Sequence, residues 1–263
     1  MFGEIFGYFA AVIVGFVLGL LGGGGSILSI PILVYLFHIE PTLAGAYSLF
    51  IVGVTSFAGA IPKYKQHLIH LKAGIIFGLP SIISIFFTRS VIVPAIPDEV
   101  FQVGSFMVTK RMLQLGVFAI LMVFASIPMI RGKRDIASHN KRFRTVLVVL
   151  EGILIGFLTG LVGAGGGFLI IPALVFLTGL QFKTAVGTSL FIISINSLAG
   201  FLGDAIHSQM NWPLLLSLTS LAILGIMIGS YYSRKISGIR LRIAFGWLTL
   251  ATGTYVILKE FIL

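Results

Sequence analysis

The sequence predicts an all-α, polytopic membrane protein made of two homologous repeats, inverted with respect to each other and containing glycine-broken helices. Three observations carry that expectation. Of 263 residues, 57% are hydrophobic and only 10% charged, with a mean hydropathy of +1.10, far from the balance of a water-soluble domain. The apolar residues fall into runs of membrane-crossing length, and two stretches of chain repeat one another without a gap.

Crossing a hydrocarbon core of about 30 Å takes about 20 helical residues. Runs of that size lie at 43–61, 73–93, 112–130, 185–206, 213–231 and 243–262. Two longer runs, 5–37 and 146–180, would each make roughly 50 Å of helix, too much for one crossing. Each is interrupted by glycines, Gly22 to Gly25 in the first and Gly163 with Gly165 to Gly167 in the second, and glycine runs leave the helical conformation readily. Each long run is therefore predicted to break there and to continue as a short segment of about 12 residues, carrying Pro31 or Pro172 and short for a full crossing.

The linkers are all short, too small to hold a core of their own. The expected organisation is a first membrane repeat over 1–130, a basic cytoplasmic linker over 131–145 and a second membrane repeat over 146–263. The start of the chain is apolar almost at once, carries Glu4 in place of a basic region and lacks an A-x-A-like cleavage site, so it reads as a mature helix. There is no cysteine, which removes thiolate metal sites, disulfides and persulfide relays. The net charge of +10 suggests nucleic-acid binding at first sight. The basic residues flank apolar helices, however, which is the pattern of membrane orientation, and no nucleic-acid partner is expected.

The repeat is explicit. Residues 15–59 lie over 156–200 with 21 of 45 positions identical, at a constant offset that shared apolar composition does not produce. Duplications of this kind place substrate sites between the two copies in secondary transporters. Lys and Arg gather in cytoplasmic loops, and this weighs two topologies. If each long run crosses once, the chain crosses eight times and the basic residues split ten against eight. If each crosses out and back through its break, there are ten crossings, with Lys63, Lys65, Lys72, Arg131, Lys133, Arg134, Lys141, Arg142, Arg144, Lys183, Arg234, Lys235, Arg240 and Arg242 on one face. Only Arg89, Lys110, Arg111 and Lys259 lie opposite. The second arrangement, with five crossings per repeat and both termini outside, is the expected one, and an odd number inverts the repeats.

The signature Gly19-Leu20-Leu21-Gly22-Gly23-Gly24-Gly25-Ser26 with Pro31, paired with Gly160-Leu161-Val162-Gly163-Ala164-Gly165-Gly166-Gly167 and Pro172, each followed by a Ser-Leu-Phe segment, resembles the TauE/SafE family of sulfite and organosulfur anion exporters. The likeness spans nearly the whole chain. It implies a carrier in a prokaryotic plasma membrane for sulfite, sulfoacetate or a related anion.

A glycine break leading into a short helix presents unpaired amides and the positive end of a helix dipole, a ready anion site. Gly23, Gly24, Gly25, Gly165, Gly166 and Gly167 are the candidates, with Ser26, Ser48 and Ser189 offering hydroxyls to anion oxygens. Gly15, Gly19, Gly152, Gly156 and Gly160, upstream of the breaks, fit small-xxx-small helix packing. Thr55, Ser56, Asn196 and Ser197 occupy matched positions in the helix after each break, and an amide at membrane depth either lines water or bonds a neighbouring helix. Asp204 and His207 could relay protons or lie in a solvated loop. Arg89, alone among basic residues in lying well inside an apolar run, could meet an anion at a vestibule or snorkel to headgroups. Glu151 reads as an interfacial anchor, and His67 with His70 as part of a cytoplasmic face and not a metal pair.

The function these features imply is secondary transport of a small anion, sulfite or an organosulfonate, with proton coupling open, no cofactor, the lipid bilayer as surroundings and a homo-oligomer possible. A channel and a non-transporting membrane subunit are the alternatives. No H-E-x-x-H, G-x-S-x-G, nucleotide-binding motif or cysteine nucleophile is present, so an intramembrane enzyme has no candidate residues.

Overall fold

The computed structural model describes residues 2–103, 106–131, 145–206 and 209–261. Ten helices are found among them: α1 (Phe2–Leu21), α2 (Gly24–Tyr35), α3 (Pro41–Lys65), α4 (Leu71–Ala95), α5 (Lys110–Arg131), α6 (Thr145–Val162), α7 (Gly167–Thr178), α8 (Phe182–Ala205), α9 (Trp212–Lys235) and α10 (Gly238–Phe261). Six of them, α3, α4, α5, α8, α9 and α10, are long and apolar enough to cross a membrane. Both long runs break where the glycines stand, giving α1 with α2 and α6 with α7.

One departure from the all-α expectation lies between α4 and α5, where β1 (Glu99–Val103) and β2 (Phe106–Thr109) form an antiparallel hairpin. The segment is rich in β-branched and aromatic residues, which suit a pleated ladder. Helix α4 itself widens into a π-helical turn at Thr88–Ile92.

Local signals set the starts of the long helices. Glu40 caps α3, its carboxylate accepting from Thr42 N and Leu43 N, with Pro41 in the first turn, where a missing N–H costs nothing. Asn211 caps α9 by accepting from Leu214 N. His70 caps α4, its Nδ1 accepting from Ala73 N at 3.1 Å. His67 sits in the preceding turn at φ 56°, so the two histidines do not share a helix face.

Helix α2 turns back along α1. Gly24 and Gly25 pack on Val17, Leu18 and Leu21, and at the far end Phe37 lies against Gly7 and meets the Tyr8 ring edge-on at 6.1 Å. Twelve helical residues thus carry the chain from the break back to the level of residue 7.

The helices pack in exchanged pairs. Helix α1 lies on α9, and α6 on α4; α4 and α9 in turn contact α8 and α3; α2 touches α10, and α7 touches α5; α3 meets α8, α5 meets α10 and α2 meets α7. Each contact recurs when α1–α5 are swapped for α6–α10. The upstream glycines do what the small-residue pattern predicts: a Cβ at Gly19 would stand 2.5 Å from Ile226 O, and one at Gly156 would stand 2.6 Å from Ser81 O. Backbones meet there without side chains between them. Large apolar side chains such as Phe9, Ile83, Phe124 and Met227 are exposed on the outside, as lipid contact requires.

Candidate functional site

Gly22 and Gly163, matched positions in the two copies, take φ of 77° and 80°, and Gly165 and Gly166 take 66° and 72°. A side chain enters this left-handed region at a cost of about 1–2 kcal/mol per residue. The two breaks meet: a Cβ at Gly167 would fall 2.5 Å from Gly23 Cα, so only a pair of glycines lets these backbones touch. Gly23 is the N-cap of α2 and Gly166 that of α7, and no side chain caps either helix. Two helix N-termini, with their first amides and positive dipole ends, therefore converge on one buried point.

The hydroxyls that the sequence offers for the site divide into engaged and free. Ser26 donates to Gly23 O at 2.7 Å and Ser189 to Val186 O at 2.9 Å. Ser29 donates to Ser26 O at 2.9 Å, which leaves Ser48 as donor in its 2.5 Å contact with Ser29. These protons are committed to the protein itself. Ser56, Ser197 and Thr55 are fully buried, and their hydroxyl oxygens have no hydrogen-bond partner among the described residues. Ser197 faces the second break, its Oγ 2.9 Å from where a Cβ on Gly165 would lie.

Sequence reasoning passed over Thr159. It is 2% exposed, its Oγ1 has no partner among the described residues, and it stands directly against Gly166. The available signal was a lone hydroxyl one turn before a break in an otherwise apolar helix. Asn196 points elsewhere. Its Nδ2 donates to Ser81 Oγ at 2.6 Å, tying α8 to α4 beside a groove of about 80 Å³, while Oδ1 has no partner among the described residues.

Arg89 and Asp204 correct the reading of a headgroup-seeking arginine and a solvated carboxylate. Arg89 is fully buried and Asp204 is 6% exposed, and the two form an ion pair in which Arg89 Nε donates to Asp204 Oδ2 at 2.7 Å. The guanidinium also donates to Gly160 O and Thr42 O, each at 3.3 Å. Gly45 leaves room for it: a Cβ there would stand 3.1 Å from Nη2, and Gly45 in turn abuts Gly163. Gln114 extends the network by donating to Leu161 O at 3.1 Å. The arginine thus lies beside the second break and not at a lipid interface. His207 lies outside the described residues. Glu151, expected as an anchor, is half-buried, with Oε2 lacking a partner among the described residues.

Apolar helices packed about two facing breaks define a multi-pass membrane protein. The family model of the sulfite exporter TauE/SafE matches residues 8–256; the chain belongs to this family of membrane transporters and is not an enzyme. Over 256 residues, covering 94% of this chain and 92% of the relative, it is 32% identical to a probable membrane transporter protein of Xylella fastidiosa (strain Temecula1). It is 27% identical to the probable membrane transporter protein YunE of Bacillus subtilis, covering 85% of this chain and 86% of the relative. The probable membrane transporter protein MJ0441 of Methanocaldococcus jannaschii is 28% identical, over 73% of this chain and 70% of its own. No solved structure matches. A lipid bilayer and a transported substrate follow from the family.

Proposed function

We propose that this chain exports a small sulfur-containing anion, sulfite or an organosulfonate, across the plasma membrane by alternating access between two inverted repeats, residues 1–130 and 146–263. The observation that carries the reading is the meeting of the two uncapped helix N-termini at Gly23 and Gly167, with the free hydroxyls of Ser197 and Thr159 against the second break. Amides and hydroxyls in a dry site bind an anion without a fixed countercharge that would hold it too tightly to release.

Inversion is supported by the exchanged helix pairs and by the return of α2 to the start of α1. It is also supported by level. Lys63 near the end of α3 donates to Ser233 near the end of α9 at 2.7 Å, so the ends of α3 and α9 share a level, which favours ten crossings over eight. Exchanging the conformations of inverted halves turns an inward opening into an outward one.

Asp204 is the coupling carboxylate in this reading. Protonation of Asp204 would loosen its hold on Arg89 beside the second break, which would couple the proton state of the site to its anion occupancy.

The test is counterflow of labelled sulfite into proteoliposomes of the purified protein, with and without an imposed pH gradient, and with sulfate, thiosulfate and sulfoacetate as competitors. Saturable uptake that responds to the gradient is the expected result. Flux of a different anion would keep the carrier and replace the substrate, and no flux of any of them would leave a non-transporting subunit.

A further inference from the structure

The 141-residue offset between the copies sets Lys63 on Asp204 and Ser230 on Arg89. Where the second copy's helix contributes the acid of a closed ion pair, the first contributes a lysine, and where the arginine should stand there is a serine. Lys63 is 3% exposed, although Lys65, two residues on, is exposed. A lysine in the last turn of a helix ordinarily extends its amine to water while favouring the helix dipole; this one does not reach water. Its amine donates to Ser233 Oγ at 2.7 Å, and that is the one partner found for it among the described residues. Ser233 spends its own proton on Ser230 O, and Ser230 Oγ, 4% exposed, has no hydrogen-bond partner among the described residues. Lys183 and Arg234, both of its own sign, lie close enough to repel Lys63, and Lys183 is held by donating to Arg234 O at 3.3 Å.

A buried cation with like charges around it is unfavourable until an anion arrives. Resting on the transport reading above, we propose that Lys63 is a second anion-binding position, in the half of the protein where the basic loops gather. There it takes an oxygen of a sulfite or sulfonate group, with the Ser230 hydroxyl as a further donor. The two-fold equivalent of a permanent salt bridge is then one whose acid is supplied by the substrate.

The experiment uses the detergent-purified full chain and its proteoliposomes. Unfolding temperature and uptake are each titrated with sodium sulfite, sodium sulfoacetate and sodium sulfate. Wild type is expected to show a saturable stabilisation by at least one of them. Lys63→Met should raise the half-saturating concentration about tenfold or more, and Lys63→Arg, which keeps the charge, should stay near wild type. If the methionine variant does not fold, Ser233→Asp serves. By installing a resident carboxylate it should raise the unfolding temperature of the unloaded protein and abolish the anion response. Wild-type half-saturation in Lys63→Met, or an intact anion response in Ser233→Asp, would overturn the site and leave the transport reading standing. Neither stabilisation nor flux with any of the three anions on wild type would overturn both.

Discussion

Arg89 of α4 and Asp204 of α8, 115 residues apart, meet on a single oxygen: both Nε and Nη2 of the arginine donate to Oδ2. Such a pair stabilises modestly as a whole, but removing one member strands the other charge and costs about 3–5 kcal/mol. Asp204→Asn and Arg89→Gln should therefore each lower the unfolding temperature of the purified protein strongly. The double change Arg89→Gln with Asp204→Asn should lose clearly less than the sum of the two single losses. Additive losses in that double-mutant cycle would show that the two charges are not coupled.

The contact between the breaks leaves no room for a methyl group. Gly167→Ala places a Cβ 2.5 Å from Gly23 Cα and should abolish uptake. Gly78→Ala, in α4, meets nothing nearer than 3.9 Å and should retain transport while gaining up to about 1 kcal/mol in helix propensity. Equal uptake by both variants would remove the breaks from the mechanism.

The division of hydroxyls into engaged and free gives opposite expectations for two serines. Ser81→Ala removes the acceptor of the Asn196 amide and should destabilise by about 1 kcal/mol, the scale of interhelical hydrogen bonds in membranes. Ser197→Ala removes an oxygen with no partner among the described residues and should leave stability unchanged or raised while weakening the half-saturating concentration of the anion. Weakened stability in Ser197→Ala with unchanged anion affinity would make it a packing residue.

Because the sequence has no cysteine, single cysteines report topology without a background. Lys65→Cys and Lys235→Cys, both at exposed positions, should react with a membrane-impermeant maleimide from the same face, and Glu40→Cys and Asp98→Cys only from the other. Labelling of residues 65 and 235 from opposite faces would rule out ten crossings.

The helices and both breaks were legible because their signals are local: apolar run length and a cluster of glycines. The small-residue packing of Gly19 and Gly156 was legible for the same reason. What could not be read was the state of each polar group, since that depends on partners far along the chain. Nothing near Arg89 in sequence announces Asp204, and nothing near Asn196 announces Ser81, its acceptor 115 positions away. Lys63 looked like one more loop charge because burial by α9 is invisible in the KYKQH segment. The β-hairpin was passed over because its two strands are short and sit between two strong helical signals.

In the proposed alternating access, the meeting of Gly23 and Gly167 would be the fulcrum. Two residues without side chains have almost nothing to interdigitate, so one half can tilt against the other there with no rotamers to unlock and no knob to lift from its hole. In the proposed mechanism the same touching backbones would cradle the anion and serve as the place about which the halves rock. A single added carbon at that spot would act as a brake on the motion as well as a plug in the site.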